Sequence, residues 1–431
     1  ADYNIQKGAI QKGAVWGRED KTKARFTVGR TTKLDPTGGN HVIGMDTAVN
    51  DIWADLQALQ DQKENVPTFT LDDGVLHVGD SSVSFMRTLR IPCNEAKYPL
   101  PPSLGKFRIL PVDELRNAPQ QMKKRGGVAI PIRQSEAMWL NLNGTGALQV
   151  FTGKVNAVSG KMHQKNEGLR REASGATQNY VSLPKQPWID GYNCGNGYVR
   201  QFVGVPLGKG LSVEKQISGQ ENTGGIQLVY YPLKLKDSKL KFQVIHSNRE
   251  FSPLLSPREL GLKVGEKIKA FIPKKKKKVY NGDSFILHLV LRLRGGGDDD
   301  PHMMGLAAGG KIKQEIYRDI RDPREYDTKR KARLFVHMVN SPMYTALTNE
   351  KMPPPVMTAK TYAMARLPWF EIYAEPDLDV RAPSVLHVLK TFKQLGAHNS
   401  QPPGGLPFDD EEEEDIKIDP KDVVHLRDGD W

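Results

Sequence analysis

Two cysteines in 431 residues, Cys93 and Cys194, are too few for a disulfide framework, and each reads as a buried or incidental thiol rather than a nucleophile. Apolar residues make up only 38% of the chain, and no apolar run reaches the ~18–20 residues that a membrane-crossing helix needs. No membrane association is therefore expected. The opening residues Ala1-Asp2-Tyr3-Asn4 lack the basic-then-apolar layout of a secretory signal, which points to the cytoplasm. Chemistry-bearing motifs are missing as well. The ten histidines are scattered, with no His-Glu-x-x-His and no Cys or His pairs at metal-ligand spacing. No Gly-x-Ser-x-Gly occurs, and nothing singles out two of the many carboxylates as an acid and base pair. The expectation is a protein without a metal or cofactor, and not an enzyme.

What the chain does have is charge, unevenly placed. Its 62 Lys and Arg against 50 Asp and Glu give +12. From Asn399 to Trp431, eleven acidic and three basic residues give −8, so the rest of the chain carries +20. The run Asp409-Asp410-Glu411-Glu412-Glu413-Glu414-Asp415 follows the turn-rich Gln401-Pro402-Pro403-Gly404-Gly405 and reads as a solvated acidic tail. Its opposite is Lys274-Lys275-Lys276-Lys277-Lys278, an exposed basic loop. Nucleic acid is a possible partner for that patch but not the favoured one. Phosphate contact and base stacking usually occur together, and only Phe271 and Tyr280 stand near it. Pairing with the acidic tail is the other reading.

Along the chain, a tandem Ile5-Gln6-Lys7-Gly8-Ala9 and Ile10-Gln11-Lys12-Gly13-Ala14 opens a polar N-terminal arm. Asp46 is a helix-capping residue for a helix over 47–63, in which Val49, Ile52, Trp53, Leu56 and Leu59 form one apolar stripe suited to packing on its own domain or on a neighbouring subunit. From Phe69 the pattern turns strand-like, with Asp73-Gly74 as a hairpin signal between Phe69-Thr70-Leu71 and Val75-Leu76-His77-Val78. Strands are expected at Ser84 to Ile91, Ala137 to Leu142, Leu148 to Phe151 and Val199 to Val205, and a long exposed loop at Gly160 to Gln178. Turn signals about every ten residues favour a sandwich or barrel, with Trp139, Trp188 and Trp369 as core anchors. Gly305-Leu306-Ala307-Ala308-Gly309-Gly310-Lys311 has a glycine content like a phosphate loop but lacks the full spacing, so it reads as a turn. Asp298-Asp299-Asp300-Pro301-His302 reads as an acidic loop rather than a cation site.

The strongest local pattern lies at Ser284 to Arg294, where Phe285, Leu287, Leu289, Leu291 and Leu293 alternate onto one face before Gly295, Gly296 and Gly297. The residues Leu287-His288-Leu289-Val290-Leu291-Arg292-Leu293-Arg294-Gly295-Gly296 resemble the C-terminal strand and tail of ubiquitin at all ten positions. Ala1-Asp2-Tyr3-Asn4-Ile5-Gln6-Lys7 is similar to the ubiquitin segment just before that strand, and Tyr280-Asn281 is a weaker copy of it. The resemblance implies a remodelled β-grasp element with Ile226 to Tyr231 as its first strand. The flanks resemble a family of uncharacterised fungal and bacterial proteins, through Phe85-Met86-Arg87-Thr88-Leu89-Arg90-Ile91-Pro92, Tyr98-Pro99-Leu100-Pro101-Pro102 and Gln186-Pro187-Trp188-Ile189-Asp190-Gly191. Lys154 to Gly160, Val199 to Val203, Met304 to Gly310 and Leu367-Pro368-Trp369-Phe370 continue that likeness. It implies an insertion architecture and brings no activity.

The expected fold is α+β and β-rich: a sandwich- or barrel-like body interrupted by a ubiquitin-like β-grasp element, with an N-terminal arm and helix. The expected parts are an arm at 1–80, a β-rich domain at 81–225, the β-grasp element at 226–297, a C-terminal part packing back at 298–397, and an acidic tail at 398–431. The preferred function is a structural protein that associates with itself into a larger assembly or filament. The alternative is a precursor or interaction module of the ubiquitin pathway, with ubiquitin-pathway proteins as partners. An enzyme without a recognised motif is third.

Overall fold

The alternation from Phe69 becomes a hairpin in the computed structural model. Phe69–Asp72 pairs antiparallel with Val75–Val78, and Asp73 and Gly74 take φ of 44° and 67°, the left-handed values that a two-residue type I′ turn requires. In this register Phe69 faces Val78 and Leu71 faces Leu76, and all four are buried. The structure describes residues 67–164, 168–172, 177–234, 302–372, 380–381, 383–396 and 416–426. It also describes short strands at 9–12, 15–18, 24–27, 30–33, 41–43, 47–48, 241–244, 250–251, 268–271 and 285–286.

The chain forms two units, Ala1–Val66 with Leu233–Asn281, and Pro67–Pro232 with Gly282–Trp431. In the first, Ile268–Phe271 lies between Lys241–Val244 and His41–Ile43, antiparallel to both. The N-terminal residues expected to form a separate arm thus share a sheet with part of the expected insert. The helix expected from residue 47 does not begin there: Thr47–Ala48 is a strand paired with Ala24–Thr27. Thr47 is a β-branched residue type, which favours extended backbone, and stands in register with Phe26. Residues 49–66 lie outside the described residues.

The second unit is built on two mixed sheets of ten and seven strands, with few and short helices, and neither sheet closes into a barrel among the described residues. The ten-stranded sheet runs Lys97–Tyr98, Met304–Lys313, Tyr198–Pro206, Ala137–Asn143, Ser81–Thr88, Val75–Val78, Phe69–Asp72 and Phe285–Ile286, with Trp188–Ile189 and Gly191–Asn193 pairing at its sides. The seven-stranded sheet runs Leu110–Pro111, Val128–Pro131, Ala332–Val339, Ile226–Tyr231, Gly146–Thr152 and Val155–Asn156, with Val181–Leu183 on Gly146–Thr152. Both sheets feed one apolar cluster, from Phe85, Leu140 and Leu306 in one to Leu148, Leu228 and Val336 in the other. Fully burying each such side chain contributes roughly 1.5–3 kcal/mol.

The chain crosses between sheets at Gly144-Thr145-Gly146. A Cβ on Gly144, where φ is 103°, would stand 2.1 Å from the Asp80 carbonyl oxygen. One on Gly146 would meet the Tyr230 ring at 2.5 Å. The Thr145 carbonyl between them accepts from Ser81 Oγ at 2.6 Å and Tyr230 OH at 2.8 Å, which fixes the corner.

Two expectations are corrected in this unit. Ile226–Tyr231 does not open an inserted element: it is an inner strand, buried at every position and paired with Gly146–Thr152 and Ala332–Val339, and the unit boundary falls after Pro232. A largely apolar strand, with Gln227 as its one polar residue, suits such an inner position. The glycine-rich Gly305 to Lys311 is no turn but part of the ten-residue strand Met304–Lys313. Its glycines permit close approach instead, since a Cβ on Gly310 would lie 2.1 Å from the Pro92 carbonyl oxygen. Of the three expected tryptophan anchors, Trp369 is fully buried and packs edge-on against Tyr362 at 5.6 Å, while Trp139 and Trp188 are half-buried.

Candidate functional site

The buried titratable groups are occupied in holding the fold. Cys194 is fully buried, its thiol donates to the Leu386 carbonyl at 3.3 Å, and burial pushes its pKa up to about 11. A thiol that stays protonated is a poor nucleophile. Burial pushes His337 down to about 3, and its Nε2 lies 3.0 Å from the Gly126 carbonyl oxygen. Glu214 accepts from the backbone amides of Thr223 at 3.0 Å and Gly224 at 2.8 Å, closing the turn before Ile226–Tyr231. Among the described residues no three His, Cys, Asp or Glu side chains cluster as metal ligands, and no helix is long and apolar enough to cross a membrane.

The chain's last described segment forms a strand at a sheet edge. Asp419 caps the short turn Pro420–Asp422 by accepting from the Lys421 amide at 3.0 Å, and proline at the first position presets its φ. Arg366 ties that turn down, with its guanidinium 2.5 Å from Asp419 and 3.4 Å from Asp422. Val423–Leu426 then lies parallel to Trp369–Ile372, with Glu371 opposite His425. Trp369–Ile372 is held on its other side by Leu100, whose amide donates to Phe370 O at 2.8 Å and whose carbonyl accepts from Phe370 N at 3.1 Å. Ile416, Ile418 and Val423 pack against the main core.

A groove of about 470 Å³ opens beside this seam, lined in part by Tyr98, Lys313, Glu371, Ile416, Ile418 and His425. Lys313 is paired with Glu371 at 2.5 Å, and His425 Nδ1 stands 3.8 Å from the same carboxylate. Val423–Leu426 is the edge of its two-stranded sheet, and no further strand takes its outer side among the described residues. Val424 on that edge is 42% exposed. The Arg366 region adds Met364 at 76% exposed and Leu367 at 36%. An uncovered strand edge offers unpaired backbone donors and acceptors.

Tyr98, Leu100, Leu367, Trp369 and Phe370, noted in the sequence only for a family likeness or as core, fall at this site, whereas none of the residues expected to carry function does. The helix stripe Val49, Ile52, Trp53, Leu56 and Leu59, the lysines at 274–278, the ubiquitin-like residues 287–296 and the carboxylates at 409–415 all lie outside the described residues. The described neighbour of the ubiquitin-like segment is Phe285–Ile286, paired antiparallel with Phe69–Asp72. Sequence reasoning folded 416–426 into a solvated tail. Its signal was there in Ile416, Ile418, Val423, Val424 and Leu426, apolar residues around an Asp-Pro cap within acidic surroundings. Comparison with known proteins finds no matching family model, no matching curated protein and no matching solved structure.

Proposed function

We propose that this chain is a non-catalytic structural protein whose copies associate through the edge strand Val423–Leu426, building a larger assembly or filament. The observation that carries the reading is that edge, with exposed Val424 on it and Met364 and Leu367 near the arginine that anchors it. A strand edge offers backbone donors and acceptors to an identical edge, and like edges meeting across a twofold axis form a closed pair. Growth beyond a pair needs a second, unlike contact. The lysines at 274–278 of one copy and the carboxylates at 409–415 of another are of opposite sign and supply it. In this reading the two large sheets face each other as a sandwich-like body, and the protein works in the cytoplasm without a cofactor. Light scattering over a concentration series tests it: particle mass rises with concentration, whereas a strict monomer at high concentration and physiological salt sinks the idea.

The ten-residue match at 287–296 favours a second reading, a module of the ubiquitin pathway cut after Gly296 or bound uncut. Cutting has a definite physical consequence. The chain after residue 296 supplies Met304–Lys313 and Ala332–Val339, each paired on both sides within its sheet. The downstream fragment cannot leave without dismantling both sheets. A deubiquitinating enzyme that cuts there is therefore expected to leave a nicked protein that elutes as one species in native buffer and as two in denaturant. An intact mass unchanged after incubation removes the processing version. Two separate fragments in native buffer contradict the strand placement.

A further inference from the structure

One face of the seven-stranded sheet carries a cluster of positive charge. Gln149, Val229 and Arg333 stand in register across three adjacent strands and so share a face, and Phe151, Gln227 and Phe335 form the next row on it. Lys331 stands just before the strand that carries Arg333, close enough that the Arg333 charge lowers its pKa. Lys154 arrives over the second row from a tight turn with φ of 69°. Its amide donates to Gln227 Oε1 at 2.9 Å, and its carbonyl accepts from the His163 amide at 2.8 Å. The His163 ring then stacks edge-on against Phe151 at 5.1 Å. Lys154 and His163 from the loop, Arg333 from the sheet and Lys331 from just before its strand thereby come to adjoining places.

These groups carry or can carry like charge. His163 is held below its usual pKa by burial first and then by Arg333, Lys331 and Lys154, with a backbone hydrogen bond partly opposing them, and Lys331 is lowered by burial and by Arg333. His163 Nδ1 and Arg333 Nε are both buried without a hydrogen-bond partner. No carboxylate pairs with any of the four side chains among the described residues. By contrast, Arg87 lies 2.6 Å from Glu136 and Arg330 2.9 Å from Asp327. What sets this place apart is that two such buried nitrogens, His163 Nδ1 and Arg333 Nε, stand beside two ammonium groups, and a forked guanidinium and a ring nitrogen among ammonium groups suit a tetrahedral oxyanion.

We propose that Lys154, His163, Lys331 and Arg333 form a binding site for a small phosphate-class oxyanion, either inorganic phosphate or the terminal phosphate of a small metabolite. Arg333 and His163 donate to its oxygens, and the two lysines balance its charge. A small ligand is favoured over a polyanion because the loop crosses this face, with Gln149 Nε2 donating to the Gly168 carbonyl at 3.3 Å and Asn179 Nδ2 donating to it at 3.1 Å.

The test is thermal unfolding of the full chain at constant ionic strength, with inorganic phosphate replacing chloride, beside equilibrium dialysis of labelled phosphate. The midpoint is expected to rise by about 2 °C and saturate, with one phosphate bound per chain. The double variant Lys331→Met with Arg333→Met is expected to lose that response while unfolding in chloride at or above the wild-type midpoint, because the mutual repulsion is gone. His163→Gln, which keeps the fold, lowers phosphate affinity about tenfold. Phenyl phosphate competing with labelled phosphate marks the metabolite source, and no competition marks the free ion. A response that chloride reproduces overturns the site, as does a saturable response that survives the double variant. Binding of a peptide spanning 408–416 at this site, with no phosphate bound, overturns the ligand class.

Discussion

Replacing Asp190 by Asn is expected to leave stability unchanged near pH 4 and to raise it by on the order of 4 kcal/mol above pH 7. Asp190 follows Trp188–Ile189 and is 2% exposed, with Oδ2 accepting from Gln314 Nε2 at 2.7 Å and its own amide donating to Gln314 Oε1 at 2.9 Å. Burial pushes its carboxyl up to about 7, and the Gln314 hydrogen bond only partly opposes this. In the unfolded chain the same group loses its proton near pH 4. Between the two values the folded state holds the extra proton, so the group's contribution is full below about pH 4 and is lost as pH rises toward about 7. Asparagine keeps a neutral acceptor for Gln314 and removes the titration. Urea denaturation at pH 4.5 and pH 8 measures both ends. An equal difference between variant and wild type at the two pH values contradicts the assignment.

Asp319→Ala is expected to cost about 3–5 kcal/mol, the range for breaking a buried charged network. Its Oδ2 accepts from Tyr180 OH at 2.8 Å and Tyr326 OH at 2.7 Å, and all three residues are buried. The two rings pack edge-on at 5.8 Å, and the Asp319 amide donates to Gln178 Oε1 at 2.9 Å. Burial first, and then the Asp319 charge, hold both phenols well above their usual pKa, so they remain donors at any working pH. Removing the carboxylate strands two buried hydroxyls at once. Tyr180→Phe and Tyr326→Phe each remove only one donor and are expected to cost about 1 kcal/mol. Denaturant titration of the three variants decides: an alanine cost no larger than that of either phenylalanine variant shows that the network is not shared.

Legibility followed the range of the interaction. The hairpin at Asp73-Gly74 and the strands at Ala137–Asn143, Tyr198–Pro206 and Ile226–Tyr231 could be read locally, because turn chemistry and side-chain period are properties of neighbouring residues. Which sheet a strand joins could not. Ile226–Tyr231 looks the same whether it opens an insert or lies between two partners from far along the chain. Met304–Lys313 misleads because glycine signals a turn when read alone, and signals close packing only once Pro92 and Val203 are known to lie against it. The edge strand Val423–Leu426 was masked by the charge of the run before it. The cluster of Lys154, His163, Lys331 and Arg333 had no sequence signal, since residues from 154 to 333 meet only once Gly146–Thr152, Ile226–Tyr231 and Ala332–Val339 are side by side.

Sedimentation velocity of the full chain beside its Val424→Lys variant, at several concentrations and physiological salt, addresses self-association most directly. Lysine on an exposed strand edge blocks pairing of two edges while leaving the fold intact. The wild type is expected to sediment as species heavier than one chain and to grow with concentration, and the variant to shift strongly toward the monomer. A wild type that stays monomeric at every concentration contradicts the structural role, and a variant that assembles as fully as the wild type contradicts the edge strand as its contact.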